Sequence, residues 1–448
     1  MREDFDVFVI GSGIAGQTVA TNCAKNGLKV GIADDKIYGG TCANRGCDPK
    51  KILYGSTESV FLNSNFQDKN ILEKTKIDWK ALQKFKKELT GAVPASTEKK
   101  LLELDIKLYH QSPYFINKHT LSVEGKTVTS KNIVIATGLE PRMLDIEGSQ
   151  HLKTSRDFLN LKTLKESITF IGAGYIGMEF AHMAARAGSK VTVIESGNSI
   201  LNPFDQDLAQ KLIDYSRDLG IKFVFNTTVS KIELLKKNYR ISYTGDEAKN
   251  TLKSGMVFNT TGRVASVDKL KLSNANVEYS ERGVEVNEYL ETINESHIYA
   301  CGDVSSLGLP LTPLSSPQGK IVAHNILKNT KRTFESGIIP SSVFTIPNLA
   351  MVGLTEKQAR ERYKDIEVRF EDASDWFSAK HLNISCYSFK TIVNKNNDQI
   401  LGAHVLSPTA AEVINLFAMA VQLKLTRDQI KNLNFTYPTW SNNIKLML

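Results

Sequence analysis

Cys42 and Cys47 stand with four residues between them in GGTCANRGCDPKK, residues 39–51. Two thiols so placed can cycle between dithiol and disulfide, share a metal ion, or pack as inert thiols. A metal would need further ligands, and the nearest histidine downstream is His110. Inert packing leaves Gly39, Gly40 and Gly46 without a reason. A five-residue step along a regular helix rises about 7.5 Å, more than a disulfide usually spans between Cα atoms. The pair therefore closes only where the turn is distorted, which Gly46 permits. Pro49 suits a helix start and leaves Cys47 near a helix N-terminus, where a thiolate is favoured. These residues read as a redox pair. Cys23, Cys301 and Cys386, the last in the strand-like ISCYSF, lack this setting and read as packing residues.

A redox pair needs a source of electrons. DVFVIGSGIAGQTVATNCAKNGLKVGIADD reads as strand, glycine turn, helix and strand, with Gly11, Gly13 and Gly16 completing GxGxxG. The glycines allow a tight turn, backbone approach to a pyrophosphate and close helix–strand packing. Asp34 ends the second strand, where a carboxylate would accept hydrogen bonds from a ribose. The unit recurs in SITFIGAGYIGMEFAHMAARAGSKVTVIES, with Gly172, Gly174 and Gly177 and with Glu195 ending its second strand. Two such units imply two dinucleotides, and hydride transfer between a nicotinamide and a flavin is the economical reading. Glu195 would repel a 2′-phosphate about 4 Å away by roughly 1–4 kcal/mol per charge pair. No arginine follows in ESGNSILNP to offset it. NADH is therefore expected over NADPH.

The whole chain sets bounds. Its 448 residues exceed one hydrophobic core, so several domains are expected. A net charge of +8 raises the question of an anionic partner, but the lysines of KFKK and LKKN are scattered and read as solvated faces. No nucleic-acid partner is expected. The first residues, MREDFDVFVIG, lack the pattern of a signal segment, and Glu179, His182 and Arg186 interrupt the best apolar run. Five cysteines make no secreted disulfide framework. A cytoplasmic protein without a membrane partner is expected.

With these motifs in order, the sequence resembles the class I pyridine nucleotide–disulfide oxidoreductases, among them glutathione reductase, dihydrolipoamide dehydrogenase and mercuric reductase. GGTCANRGCDPKK resembles the family's redox segment and IVIATGLEP its second flavin motif, which contains Thr137 and Gly138. VFNTTGR, ending at Gly262 and Arg263, and IYACGDV resemble the segments that return the chain to the flavin domain. LTPLSSPQGKIVAHNI, from Leu311 and Thr312, matches the loop and helix beneath the flavin ring. The resemblance implies an α/β fold with two Rossmann-like dinucleotide-binding domains, for FAD and NAD(P)H, and a C-terminal α+β dimerisation domain. Residues 1–143 and 262–335 would form the FAD domain, 144–261 the NAD(P)H domain and 336–448 the interface of a homodimer. Helices of an insertion in the flavin domain would follow the cysteines, with TKIDWKAL a helix start.

Carried over by position, Cys47 would be the thiol next to the flavin and Cys42 the one that attacks the substrate. Gly40 and Thr41 would lie near the pyrophosphate, Gly302 and Asp303 near the ribityl–phosphate portion. Tyr175 would be a lid where nicotinamide enters, with Ile176 beside it. Lys50 and Glu179 would pair beside flavin N5. Arg45 and Asp48 replace residues often apolar in the family, and Arg45 could either lower a thiolate pKa or be a surface cation.

The resemblance also exposes a gap. Glutathione reductase and dihydrolipoamide dehydrogenase end with a His–Glu pair that serves as acid and base. Here Tyr437 stands at the histidine position and Asn442 at the glutamate position of TYPTWSNN, no His follows His404, and no Asp or Glu follows Asp428. A tyrosine of pKa near 10 donates a proton but is a poor base at neutral pH. Mercuric reductases also carry tyrosine there but add a C-terminal cysteine pair, and no cysteine follows Cys386. His404 in ILGAHVLSP reads as a strand residue, and no metal site is expected. The leading reading is reduction of a small-molecule or protein disulfide, or another thiol-reactive acceptor, through Cys42–Cys47. The alternative is reduction of quinones, metal ions or oxygen from the flavin itself.

Overall fold

The apolar run after Asp6 forms the centre of a parallel sheet. In the computed structural model, which describes residues 2–67, 69–245 and 249–448, the strand Arg2–Ile10 lies between Val30–Ala33 and Lys126–Ile135, both parallel to it. Lys107–Tyr109 extends the sheet on one side, and Ile298–Ala300 pairs with Ile133, Val134 and Ile135 on the other. Val7, Phe8, Val9 and Ile10 are buried, as expected of a parallel strand covered on both faces. The earlier half of Lys126–Ile135 instead pairs antiparallel with Thr120–Val123, which pairs with Tyr114–Asn117. This sheet belongs to a compact unit made of the chain up to Ile52, Lys84–Arg142 and Gly262–Ser336. Its core gathers Phe8, Tyr109, Phe115, Ile133, Leu270 and Ile298.

The cysteine segment hangs from this sheet. The buried Tyr38 hydroxyl donates to Ile32 O at 3.1 Å and Tyr109 O at 2.8 Å, tying the loop to two neighbouring strands. Asn44 Nδ2 then donates to Tyr38 O at 2.8 Å and Gly40 O at 3.1 Å, closing the turn around Cys42.

Leu53–Gln83, Met143–Thr261 and Gly337–Leu448 form the second unit. Leu53–Gln83, expected with the flavin domain, is held here by its own bonds. Trp79 Nε1 donates to Leu161 O at 2.8 Å, and Asn348 Nδ2 donates to the Tyr54 hydroxyl at 2.8 Å. A four-stranded parallel sheet runs in the order Lys222–Val224, Lys190–Ile194, Ser167–Ile171, Met256–Asn259. An antiparallel sheet of five strands runs Ser341–Val343, Asn348–Gly353, Ile400–Ser407, Ser388–Asn394, Ile366–Asp372, with the helix Ala410–Gln422 packed against it. Cys386 precedes the strand Ser388–Asn394 rather than lying in it, because its neighbours Ser385 and Tyr387 bond to Ser374. Among the described residues no helix is long and apolar enough to cross a membrane.

The central strands of that sheet bury a charge. Lys390 is paired in register with His404. Its Nζ lies 2.9 Å from Asp205 Oδ2 and 3.1 Å from Glu356 Oε2, and it also bonds Asp207. Burial alone would lower the Lys390 pKa, but its bonds to Asp207 and Asp205 outweigh that and raise it. A raised lysine pKa stabilises the fold fully below the unfolded value near 10.4 and is lost as pH rises through the folded value. Lys390→Met removes the cation and leaves the buried Asp205 carboxylate without its counter-charge, so it is expected to cost about 3–5 kcal/mol of unfolding free energy at pH 7. Denaturant melting checks this, and a loss under about 1 kcal/mol would reject the charge argument.

Candidate active site

The helix Gly40–Arg45 carries Cys42, and the helix Cys47–Gln67 opens on Cys47. Between them Gly46 takes φ −143° and ψ −115°, which breaks the regular spiral and lets the two thiols meet. Their side chains are hydrogen-bonded to each other. Cys47 Sγ lies 3.4 Å from Thr312 Oγ1, and Cys42 Sγ donates to Asp48 Oδ1 at 3.9 Å. Pro49 sits in the first turn, where its missing N–H removes a donor that would have no intrahelical partner.

These contacts divide the labour between two otherwise identical side chains. The hydrogen bond from Cys42 lowers the Cys47 pKa to about 6 against the opposing effect of burial, helped by Thr312 and the Lys50 cation. Cys42 moves the other way: its bond to Cys47, then burial, and the Asp48 charge hold its proton on. Negative charge therefore rests on Cys47. The cation acting on it is Lys50, a role the sequence left open to Arg45. Cys23, Cys301 and Cys386 are buried, and burial pushes each up to about 12, which keeps them inert at neutral pH.

The two glycine turns share one construction. Asp34 Oδ2 accepts from Ser12 N at 2.8 Å and Ser12 Oγ at 2.6 Å, and Glu195 Oε2 accepts from Ala173 N at 2.7 Å. Each acid thus fixes the N–H of the residue between the first two glycines of its own turn, at the same separation of 22 residues. Ser12 Oγ also accepts from Gly39 N at 3.2 Å, linking the first turn to the cysteine segment. The GxGxxG pattern gives no weight to the residues between the glycines, so Ser12 went unnoticed in the sequence.

Gly11 and Gly40 show why no side chain is tolerated. Gly11 has φ +108°, and a Cβ there would sit 2.3 Å from Ala136 O. Gly40 has φ +73°, and a Cβ would sit 2.4 Å from the Cα of Gly13, so the two turns touch backbone to backbone. Gly16, Gly172 and Gly177 are packed as tightly, whereas Cβ positions at Gly138, Gly174 and Gly262 meet nothing within 4 Å.

Elsewhere in the first unit, Gly302 N donates to Gln318 Oε1 at 2.6 Å, and Arg263 bridges Asp303 at 3.4 Å and Leu139 O at 2.9 Å. Arg263 and Gln318 were not singled out from the sequence, since their partners lie in distant segments. Leu311 caps the helix Thr312–Leu327, which aims Thr312 at Cys47. Thr137 Oγ1 is buried without a hydrogen-bond partner. A buried hydroxyl in that state is costly, and a polar ligand group would satisfy it. Open glycine backbone, the fixed Asp34 carboxylate and this hydroxyl fit a dinucleotide.

A family model described as pyridine nucleotide-disulphide oxidoreductase matches residues 5–319, and its dimerisation-domain counterpart matches residues 339–448. The chain belongs to the pyridine nucleotide–disulphide oxidoreductase family. A glutathione reductase of Nostoc sp. is 32% identical over 95% of both chains. A mercuric reductase of Staphylococcus aureus is 30% identical over 99% of this chain and 82% of its own length. The structure of the HOCl-induced flavoprotein disulfide reductase RclA from Escherichia coli superposes with a TM-score of 0.87 at 29% identity, covering 98% of each chain. A Cu(II) complex of that protein gives 0.89 over 99% of each. As a member of the family this chain is an FAD-dependent pyridine nucleotide–disulfide oxidoreductase, and its dimerisation domain marks a homodimer.

The remaining site residues of this oxidoreductase divide between the units. Thr41 and Lys50 lie in the first, Lys50 N bonding Gly46 O at 3.0 Å. Tyr175, Ile176, Glu179 and Tyr437 lie in the second. Tyr175 begins the helix Tyr175–Arg186 and is half exposed, with Ile176 next to it. Glu179 is buried in the same helix, where its Oε1 accepts from Phe344 N at 2.9 Å. Tyr437 is 75% exposed. His404 is fully buried in Ile400–Ser407, with Nε2 3.0 Å from Leu354 O, and is a structural residue of that sheet. Among the described residues no cluster suits a metal ion.

Proposed function

We propose that this enzyme draws electrons from NADH, stores them on the Cys42–Cys47 pair and delivers them to a disulfide or another thiol-reactive acceptor. The observation that carries this reading is the pair itself, brought together across the Gly46 break with Cys47 at a helix start against Thr312. FAD, when bound, supplies two-electron transfer between nicotinamide and disulfide. Residues 1–143 and 262–335 would hold it, 144–261 the nicotinamide dinucleotide, and 336–448 the partner copy. In this reading Gly11, Gly13, Gly16, Gly40 and Thr41 surround the pyrophosphate, and Asp34 holds the ribose. Thr137, Gly138, Gly262, Gly302, Asp303, Leu311 and Thr312 complete the flavin side. Gly172, Gly174, Tyr175, Ile176, Gly177 and Glu195 serve the nicotinamide side, and Lys50 and Glu179 are further catalytic residues. The setting is cytoplasmic.

Anaerobic titration of the FAD-loaded protein with NADH tests the reading. A long-wavelength absorbance is expected at two electrons, present above about pH 6 and lost below it as Cys47 takes up a proton. It should be absent in Cys47→Ser. Bleaching to fully reduced flavin without that absorbance would overturn the reading.

Glu195 sets the expected nucleotide preference. Its carboxylate is held by Ala173 N, Gly197 N at 2.9 Å and Ser196 Oγ at 3.0 Å, so it cannot readily swing away from a 2′-phosphate. NADH is expected to exceed NADPH by at least about tenfold in kcat/KM, within the repulsion of one close charge pair. Steady-state kinetics with both nucleotides would reject this if NADPH proved the better donor.

A second reading has its own support. Tyr437 stands exposed where a general base is expected, and a metal-ion acceptor requires no proton for a leaving thiol. The mercuric reductase relatives and the Cu(II) complex of the Escherichia coli protein favour such acceptors.

A further inference from the structure

We propose that Asp48 is a catalytic residue of this enzyme, carrying the proton in thiol–disulfide exchange at Cys42. The inference rests on the disulfide reading above and deepens it. A neutral thiol that attacks a disulfide must lose a proton, and an alkyl thiolate that leaves, with pKa near 8.5, must gain one at neutral pH. Besides Cys47, the acceptor within hydrogen-bond reach of the attacking thiol's single proton is Asp48, whose Oδ1 lies 3.9 Å from Cys42 Sγ. Thr312 bonds both thiols and carries no charge, and Lys50 acts on Cys47 as its cation.

Local structure explains how the carboxylate reaches that sulfur. Asp48 occupies the first turn of Cys47–Gln67, where the helix dipole favours an anion. The break at Gly46 turns the preceding helix so that Cys42, six residues back, faces it. Asp48 is exposed, so a substrate sulfur departing from Cys42 meets a carboxylate open to solvent. The leading charges on Cys42 are those of Cys47 and Asp48, and both hold its proton on. Asp48 also offers the proton an acceptor.

The exchange balances as follows. As Cys42 Sγ bonds to one substrate sulfur, its S–H bond breaks and Asp48 accepts the proton. The substrate S–S bond breaks, Cys42 sulfur is oxidised to the mixed disulfide, and the departing sulfur is reduced and takes the proton from Asp48. The Cys47 thiolate then attacks Cys42, forms the Cys42–Cys47 disulfide and expels the second substrate thiolate, which Asp48 can protonate with a proton drawn from solvent.

The test compares Asp48→Asn with wild type on two substrates, glutathione disulfide and an aromatic disulfide whose leaving thiolate is stable unprotonated at neutral pH. The ratio of kcat/KM for glutathione disulfide to that for the aromatic disulfide is expected to fall about 10²-fold, the lower end of the range for a lost acid–base group. In the same variant, reduced Cys42 should be alkylated more slowly by iodoacetamide, read by mass spectrometry, because the group that takes its proton is gone. Asp48→Glu should restore part of the ratio. A merely structural role would depress both substrates alike, and a merely repulsive charge would speed both; an unchanged or increased ratio overturns the proposal. The disulfide reading fails separately if Cys42→Ser still reduces both substrates, or if wild type reduces neither.

Discussion

Cys42→Ser is expected to lower turnover of any disulfide substrate by at least about 10³-fold, since removal of a catalytic nucleophile can cost up to about 10⁶. The exchange needs sulfur at this position, since a serine hydroxyl neither exchanges with a disulfide nor forms the mixed intermediate. The effect is specific to Cys42 because the structure gives the cysteines unequal tasks. Cys47 is the thiolate, held by Cys42, Thr312 and Lys50, while Cys42 keeps its proton until it attacks. Steady-state assays with glutathione disulfide and with a protein disulfide would check the outcome. Cu(II) or a quinone as acceptor supplies the contrast. If the true acceptor takes electrons directly from the flavin, Cys42→Ser keeps its turnover, and the Cys42 route is rejected in favour of the second reading.

Gly40→Ala is expected to yield a protein that binds FAD at least about tenfold more weakly. At φ +73° an L-residue is strained by about 1–2 kcal/mol. The larger problem is steric: the new methyl would lie 2.4 Å from the Gly13 Cα, which is backbone and cannot rotate aside. The cysteine segment must then move off the first glycine turn, breaking the Gly39–Ser12 bond that links them. Because Ser12 also anchors Asp34, the same shift loosens that carboxylate. A loss of at least about 1.4 kcal/mol, or tenfold in FAD affinity, is expected. Flavin content after dialysis and a fluorescence titration of apoprotein with FAD would measure it. Wild-type affinity would show that the two turns can part without cost. Alanine at Gly27, where φ is +82° but nothing lies within 4 Å of the added carbon, separates strain from clash.

The features legible in the sequence are those whose causes lie within one short segment. Gly11, Gly13 and Gly16 followed by Asp34, and Gly172, Gly174 and Gly177 followed by Glu195, announce two strand–turn–helix–strand units because tight turns and parallel strands dictate residue type locally. The Cys42–Cys47 spacing likewise required a distortion, and Gly46 supplied it. Tyr437 and Asn442 could be read at their positions because motif order along the chain is itself local information.

Tertiary structure decided what depends on segments far apart in the chain. Nothing local says that Cys47, rather than Cys42, bears the charge; part of that comes from Thr312, 265 residues away. Asp48 looked like a stray substitution until the break at Gly46 brought Cys42 to its carboxylate. Lys390 reads as one lysine in an alternating strand, yet Asp205, Asp207 and Glu356 gather round it. Leu53–Gln83 joined the second unit because Trp79 and Tyr54 find their partners there. Sequence alone determined the two dinucleotide units and the redox pair, since backbone conformation constrains residue type at each position. Charge placement and proton handling were decided only by folding, because electrostatic and hydrogen-bond partners act through space and leave no spacing rule in the chain.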